Sequence, residues 1–160
     1  MAVATSIIGT ALITSPTVVA SVGTNLIIGT ITTTASSIGS LIKYLTTNTS
    51  PGINDILTFL ASIDLEFTIG IVEQVVKELD QENISESLNK AIIGVNEILT
   101  LIHQELTTVK AAIEEHNSKY FNGWRAFKWT GTLDNIKKYN EIFKHRYGIL
   151  FELVKIANKH

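Results

Sequence analysis

An all-α fold, a helical bundle built on a long antiparallel helical hairpin, is what three features of this 160-residue chain predict. From Ser50 onward apolar residues recur at three- and four-residue steps, the period of one helix face. One of these stripes keeps an unbroken alternation of fours and threes, the rhythm of a heptad seam. An acidic block is followed by a basic one, which favours pairing of the helices that carry them.

The first element is an apolar head, residues 1–49, set apart as its own region from a bundle over 50–160. Residues 1–42 contain no Asp, Glu, Lys or Arg, and the first charge is Lys43. Residues 4–22 and 24–42 are each about 19 residues long, close to one bilayer span. Joined by a turn at Gly23-Thr24-Asn25, they would form a membrane hairpin with Lys43 at its exit. Ala35 with Gly39, and Ser36 with Ser40, are small pairs that suit close helix packing. Against this, Pro16 interrupts the first stretch, and only ten residues of 4–22 and eight of 24–42 are hydrophobic. Thr32-Thr33-Thr34 beside Val and Ile would suit strands. Three readings stay open: a head in or on a bilayer, a head buried by the bundle or a protein partner, and a β-rich excursion. A cleaved signal peptide is disfavoured, because no Lys or Arg precedes the apolar stretch.

Ser50-Pro51 then signals a helix start, a hydroxyl at N-cap with proline at the first helical position. Ile53, Ile56, Leu60, Ile63, Phe67, Ile71 and Val75 carry this helix over about 51–80. Asn83 and Glu86 fit a capping box for the next helix, about 84–119 and roughly 50 Å long. Its seam is Leu88, Ile92, Val95, Leu99, Ile102, Leu106, Val109 and Ile113. Asn122-Gly123 and Gly131 make 120–131 a connector. Thr132 caps a last helix, about 132–158, with Leu133, Ile136, Phe143, Tyr147, Leu150, Val154 and Ala157 on one face. Asn140 is its polar seam position, of the kind that fixes register in a coiled coil.

Charge and composition exclude more than they assign. Residues 55–115 carry twelve acidic and three basic side chains, and 116–160 carry nine basic and three acidic, for a net charge of −2. That balance makes no case for nucleic acid as a partner. Charged residues are 18% of the chain, below the roughly 25% of a typical soluble domain, and mean hydropathy is +0.24. The absence of cysteine excludes a disulfide scaffold, thiol catalysis and thiolate metal sites. His103, His116, His145 and His160 show no HExxH spacing, so no metal is expected. Neither a phosphate-binding glycine loop nor a nucleophile elbow is present, so no catalytic residue and no cofactor are assigned. Acidic residues of 64–86 fall mainly opposite the apolar stripe, as a solvated face does. Asn48-Thr49-Ser50 and Asn83-Ile84-Ser85 match the glycosylation acceptor, but both coincide with helix-cap positions.

The densest local feature is Tyr120-Phe121-Asn122-Gly123-Trp124-Arg125-Ala126-Phe127-Lys128-Trp129. Its interface candidates are Tyr120, Phe121, Trp124, Arg125, Phe127, Lys128 and Trp129. The rings could stack on bases, sit at headgroup depth, form a protein hot spot, or plug the end of the bundle between two long helices. The plug is the favoured reading.

Several strings resemble the small helical open reading frames of giant DNA viruses of amoebae. They are Ser50-Pro51-Gly52, Ile63-Asp64-Leu65-Glu66, Ile102-His103-Gln104-Glu105-Leu106, His116 through Arg125, and His145-Arg146-Tyr147. The resemblance covers about residues 50–155 and implies a viral accessory or virion protein without catalytic residues. In topology alone, an apolar segment ahead of a helical bundle is similar to HeLo-type membrane-permeabilising domains. The function expected is a non-enzymatic structural or interaction protein, anchored through residues 1–42 to a membrane or a larger assembly. Its heptad seam offers a route to a homo-oligomer, and its expected location is a membrane or a virion. The alternative is a membrane-permeabilising effector.

Overall fold

The structure is a computed structural model, and it describes residues 16–48, 52–118 and 129–159, with the side chains of 16–22 left aside. Five helices occur in order: α1 Pro16–Thr47, α2 Asn54–Ser62, α3 Leu65–Lys77, α4 Glu86–Ser118 and α5 Thr130–Ala157. No strand occurs among the described residues. The fold is all-α, and α4 and α5 form the expected hairpin.

The seam of α4 is the axis of the molecule. All eight of its predicted positions, Leu88 through Ile113, are buried, and Ile98 joins them. Each such side chain contributes about 1.5–3 kcal/mol on removal from water. Against one side lies α5, whose antiparallel course is fixed by Asn135 Nδ2 donating to Glu105 Oε1 at 2.9 Å and by Arg146 reaching Gly94 and Glu97. Phe143, Tyr147 and Phe151 stack edge to face along α5, with centroids 5.1 and 5.4 Å apart. Ala157, placed on the inner face by its spacing, is exposed at the last residue of the helix.

On the other side of α4 lies α1, and the two run parallel. Thr24 Oγ1 donates to Asn89 Oδ1 at 3.0 Å, Ser37 Oγ lies 2.8 Å from His103 Nε2, and Lys110 Nζ sits 5.0 Å from the Tyr44 ring centroid. The inner face of α1 carries Ile28, Ile31, Ala35, Ile38, Leu41 and Leu45, all buried in the same core as the α4 seam. This helix passes through Gly23-Thr24-Asn25 without a turn, so the hairpin expected there does not form. The Thr32-Thr33-Thr34 run is helical as well. The β preference of threonine yields to the apolar side chains, whose three- and four-residue spacing suits one helix face.

Residues 51–80 differ from the single helix expected. Asp64 adopts the left-handed conformation, φ 48° and ψ 47°, and divides the segment into α2 and α3. Aspartate is among the few residues besides glycine that enter this region at modest cost. The break rotates the helix beyond it. Ile53, Ile56 and Leu60 are buried as predicted, but past Asp64 the inward positions become Leu65, Ile69, Val72 and Val76. Phe67 is therefore 63% exposed and Ile71 faces outward with it. Together α2 and α3 run in the direction of α5 and meet it at two places. Lys137 Nζ lies 5.8 Å from the Phe59 ring centroid, and Val75 and Leu79 line one cavity with Val154 and Ala157.

Two helix starts also differ. The cap of α4 is Ser85, whose Oγ accepts from the Leu88 N–H at 3.2 Å. Asn83 turns away from the helix and donates to Asp80 Oδ2 at 2.7 Å. At α5 the helix begins two residues before Thr132, immediately after Trp129. The Ser50-Pro51 signal lies outside the described residues.

Candidate docking surfaces

Of the aromatic candidates, Tyr120, Phe121, Trp124, Arg125, Phe127 and Lys128 lie outside the described residues. Trp129 stands immediately before α5, where its carbonyl accepts from the Leu133 N–H at 2.8 Å. Its ring is buried within the main core.

The outward face of α1 is the first surface with a definable chemistry. Gly23–Thr47 is long and apolar enough to cross a membrane by length and composition, and 28% of its most apolar window is buried. Leu26 is 73% exposed on this face. Several hydroxyls here close on their own helix. Thr30 donates to the Leu26 carbonyl at 2.9 Å, Thr33 to the Gly29 carbonyl at 3.0 Å, and Ser40 to the Ser36 carbonyl at 3.1 Å. Such back-bonding satisfies a hydroxyl without water. A groove of about 430 Å³ runs beside it, lined by Ala35, Gly39 and Lys43 of α1 and by Glu66, Gly70 and Glu73 of α3.

The second surface is the outer groove between α4 and α5. Ser87, Ala91, Gly94, Ile98 and Leu101 form a second stripe on α4, and Ile142, Arg146, Ile149 and Leu153 form its counterpart on α5. Arg146 bridges the two helices. Its guanidinium donates to the Gly94 carbonyl at 2.5 Å and to Glu97 Oε2 at 3.1 Å. A Cβ at Gly94 would lie 3.6 Å from Arg146 Cδ, in ordinary van der Waals contact, so Arg146 packs directly over this position. Arg146–Glu97 joins the acidic block to the basic one, while Lys77–Glu73, Lys90–Glu86, Lys144–Glu141 and Lys155–Glu152 each close within one helix. The Lys90 ammonium, 2.7 Å from Glu86, holds that carboxyl below its ordinary value and is itself raised.

This second stripe is not apparent from the sequence. Gly94 and Arg146 interrupt it, and at those positions neither residue registers as apolar. Its signal lies in the seven- and three-residue spacing of Ala91, Ile98 and Leu101.

Among the described residues no group of three or more His, Cys, Asp or Glu could hold a metal ion. His103 is committed to Ser37. Comparison with protein-family models, with curated proteins and with solved structures finds no match.

Proposed function

We propose that this protein is a non-enzymatic structural protein, a helical bundle held at a membrane through its uncharged N-terminal segment. The carrying observation is the charge-free run of 42 residues, continuous with a helix whose outward Thr30, Thr33 and Ser40 hydroxyls bond to their own backbone. A surface of that kind enters hydrocarbon at lower cost than one with open donors. The inner face of α1 is engaged with α4, so the membrane contact falls to its outward face and to the residues before Pro16. By the resemblance of residues 50–155 to giant-virus reading frames, the membrane would be that of a virion.

The test is carbonate extraction of the full chain beside Ile8→Lys/Leu26→Lys, which places two charges on the uncharged segment, Leu26 being 73% exposed on α1. Retention of the parent with lipid vesicles and release of the variant, both fully helical by circular dichroism, supports the reading. A parent released by carbonate, yet recovered in a large protein complex, would move the anchor to an assembly. Dye release from vesicles by the parent would instead mark a permeabilising effector.

A further inference from the structure

The α4–α5 groove has a feature that the hairpin itself does not need. Leu101 is 38% exposed, Ile149 45% and Ile156 56%, all on the side away from the main core. The first seam, Leu88 to Ile113, is consumed inside the chain. Leu101 on α4 and Ile149 and Ile156 on α5 therefore lie uncovered, beside the half-buried Ala91, Ile142 and Leu153.

Levels along the hairpin are set by its cross-links. Glu105 stands opposite Asn135, and Gly94 and Glu97 stand opposite Arg146. Carried along the antiparallel pair, this register puts Ala91 and Gly94 at the height of Ile149, Leu101 near Ile142, and Lys90 near Glu152. Glu97 and Arg146 close on each other within the chain, which leaves the exposed Lys90 on the α4 rim and the exposed Glu152 on the α5 rim. Each rim is the electrostatic complement of the other at equal height. The small Ala91 and Gly94 likewise face the height of the bulky Ile149.

We infer that this groove is the contact between two copies of the chain, related by a two-fold axis parallel to the helices, with α4 of each copy laid on α5 of the other. Such an axis preserves height. It seats Ile149 on the Ala91–Gly94 hollow of the partner and brings Lys90 opposite the partner's Glu152, twice per dimer. A closed isologous contact of this kind covers both copies of the stripe at once.

Sedimentation equilibrium of the full chain in non-ionic detergent tests the pairing. The parent is expected as a dimer at micromolar concentration and Ile149→Glu as a monomer. Lys90→Glu and Glu152→Lys, each alone, set like charges opposite one another and should weaken self-association about tenfold or more. Mixed in equal amounts, the two single variants restore both opposite-charge pairs, so a heterodimer of near-parental affinity should form. Like-charge neighbours introduced within one helix act equally on monomer and dimer and drop out of the comparison. A monomeric parent overturns the proposal. So does association that Ile149→Glu leaves intact, or a mixture no tighter than its components. Membrane retention through residues 1–42 is read separately and survives either outcome.

Discussion

The Ser37 hydroxyl on α1 lies 2.8 Å from His103 Nε2 on α4, sixty-six positions further along the chain. Thr24 with Asn89 and Tyr44 with Lys110 keep nearly the same offset. A constant offset is what two parallel helices of equal rise produce, so these three pairs fasten α1 to α4 at both ends and in the middle. The apolar residues between them supply the energy, and the polar pairs fix the height at which it is collected.

Ser37→Ala is accordingly expected to cost about 1 kcal/mol, because it removes a partner from a half-buried ring nitrogen. In a chain of this size that lowers Tm by about 2–4 °C. Thr33→Ala, whose hydroxyl closes on its own helix, should stay within about 0.5 kcal/mol. Equal losses for the two variants would show that the α1–α4 pair carries no stability of its own.

The seam of α4 should be the costliest place to cut. Leu99 and Leu106 are fully buried, and Leu99→Ala or Leu106→Ala is expected to lose about 2–5 kcal/mol in urea unfolding. Phe67→Ala is the control, since Phe67 projects from α3 into solvent and its loss should change stability by less than about 0.5 kcal/mol. The reverse ranking would mean that α3 is turned toward the core as an unbroken 51–80 helix would turn it.

That contrast marks how much was legible in the sequence. Leu88 to Ile113 could be read residue by residue, because one uninterrupted helix keeps its apolar side chains in one direction along its whole length. The 51–80 segment could be read only to Leu60. A single left-handed residue, Asp64, shifts the face of everything after it, and aspartate in a helix-period pattern announces no such turn. The head was ambiguous for another reason. Ile28, Ile31, Ile38 and Leu45 have the spacing of a core helix, yet the lack of charge around them is shared by membrane spans. Composition does not separate those cases; the structure shows only that these four residues are buried in one core with the α4 seam. The α4–α5 groove was hidden because Arg146 and Gly94 work as a pair across 52 positions, a relation no local pattern contains.

The turn between α3 and α4 makes a prediction about acid. The Asn83 side-chain amide, and after it the Glu82 backbone N–H, donate to the Asp80 carboxylate and hold its pKa below the ordinary 3.8. A carboxyl lowered on folding contributes stability that is fully present above its unfolded value and is lost as pH falls through the folded one. The Asp80 contribution is therefore complete above about pH 4 and disappears below it. Carboxyl-carbon NMR titration should find the Asp80 midpoint below 3.8, and Asn83→Ala should return most of the shift. A midpoint in the parent at or above that ordinary value would remove the turn from any account of acid stability.

Asn140 offers the opposite sign of change. It occupies the inner face of α5 between Ile136 and Phe143, 3% exposed, with its Nδ2 buried and without a hydrogen-bond partner. A buried amide left open costs about 1–3 kcal/mol, a cost that a register-fixing asparagine repays only when nothing else sets the register. Here Asn135–Glu105 and Arg146–Glu97 already set it. Asn140→Leu, close to isosteric, should therefore raise the unfolding free energy by about 1–3 kcal/mol in urea and leave a single set of amide resonances. A gain in stability accompanied by doubled resonances would show that Asn140 does hold the hairpin in register. A loss of stability would show that its amide finds a partner in solution.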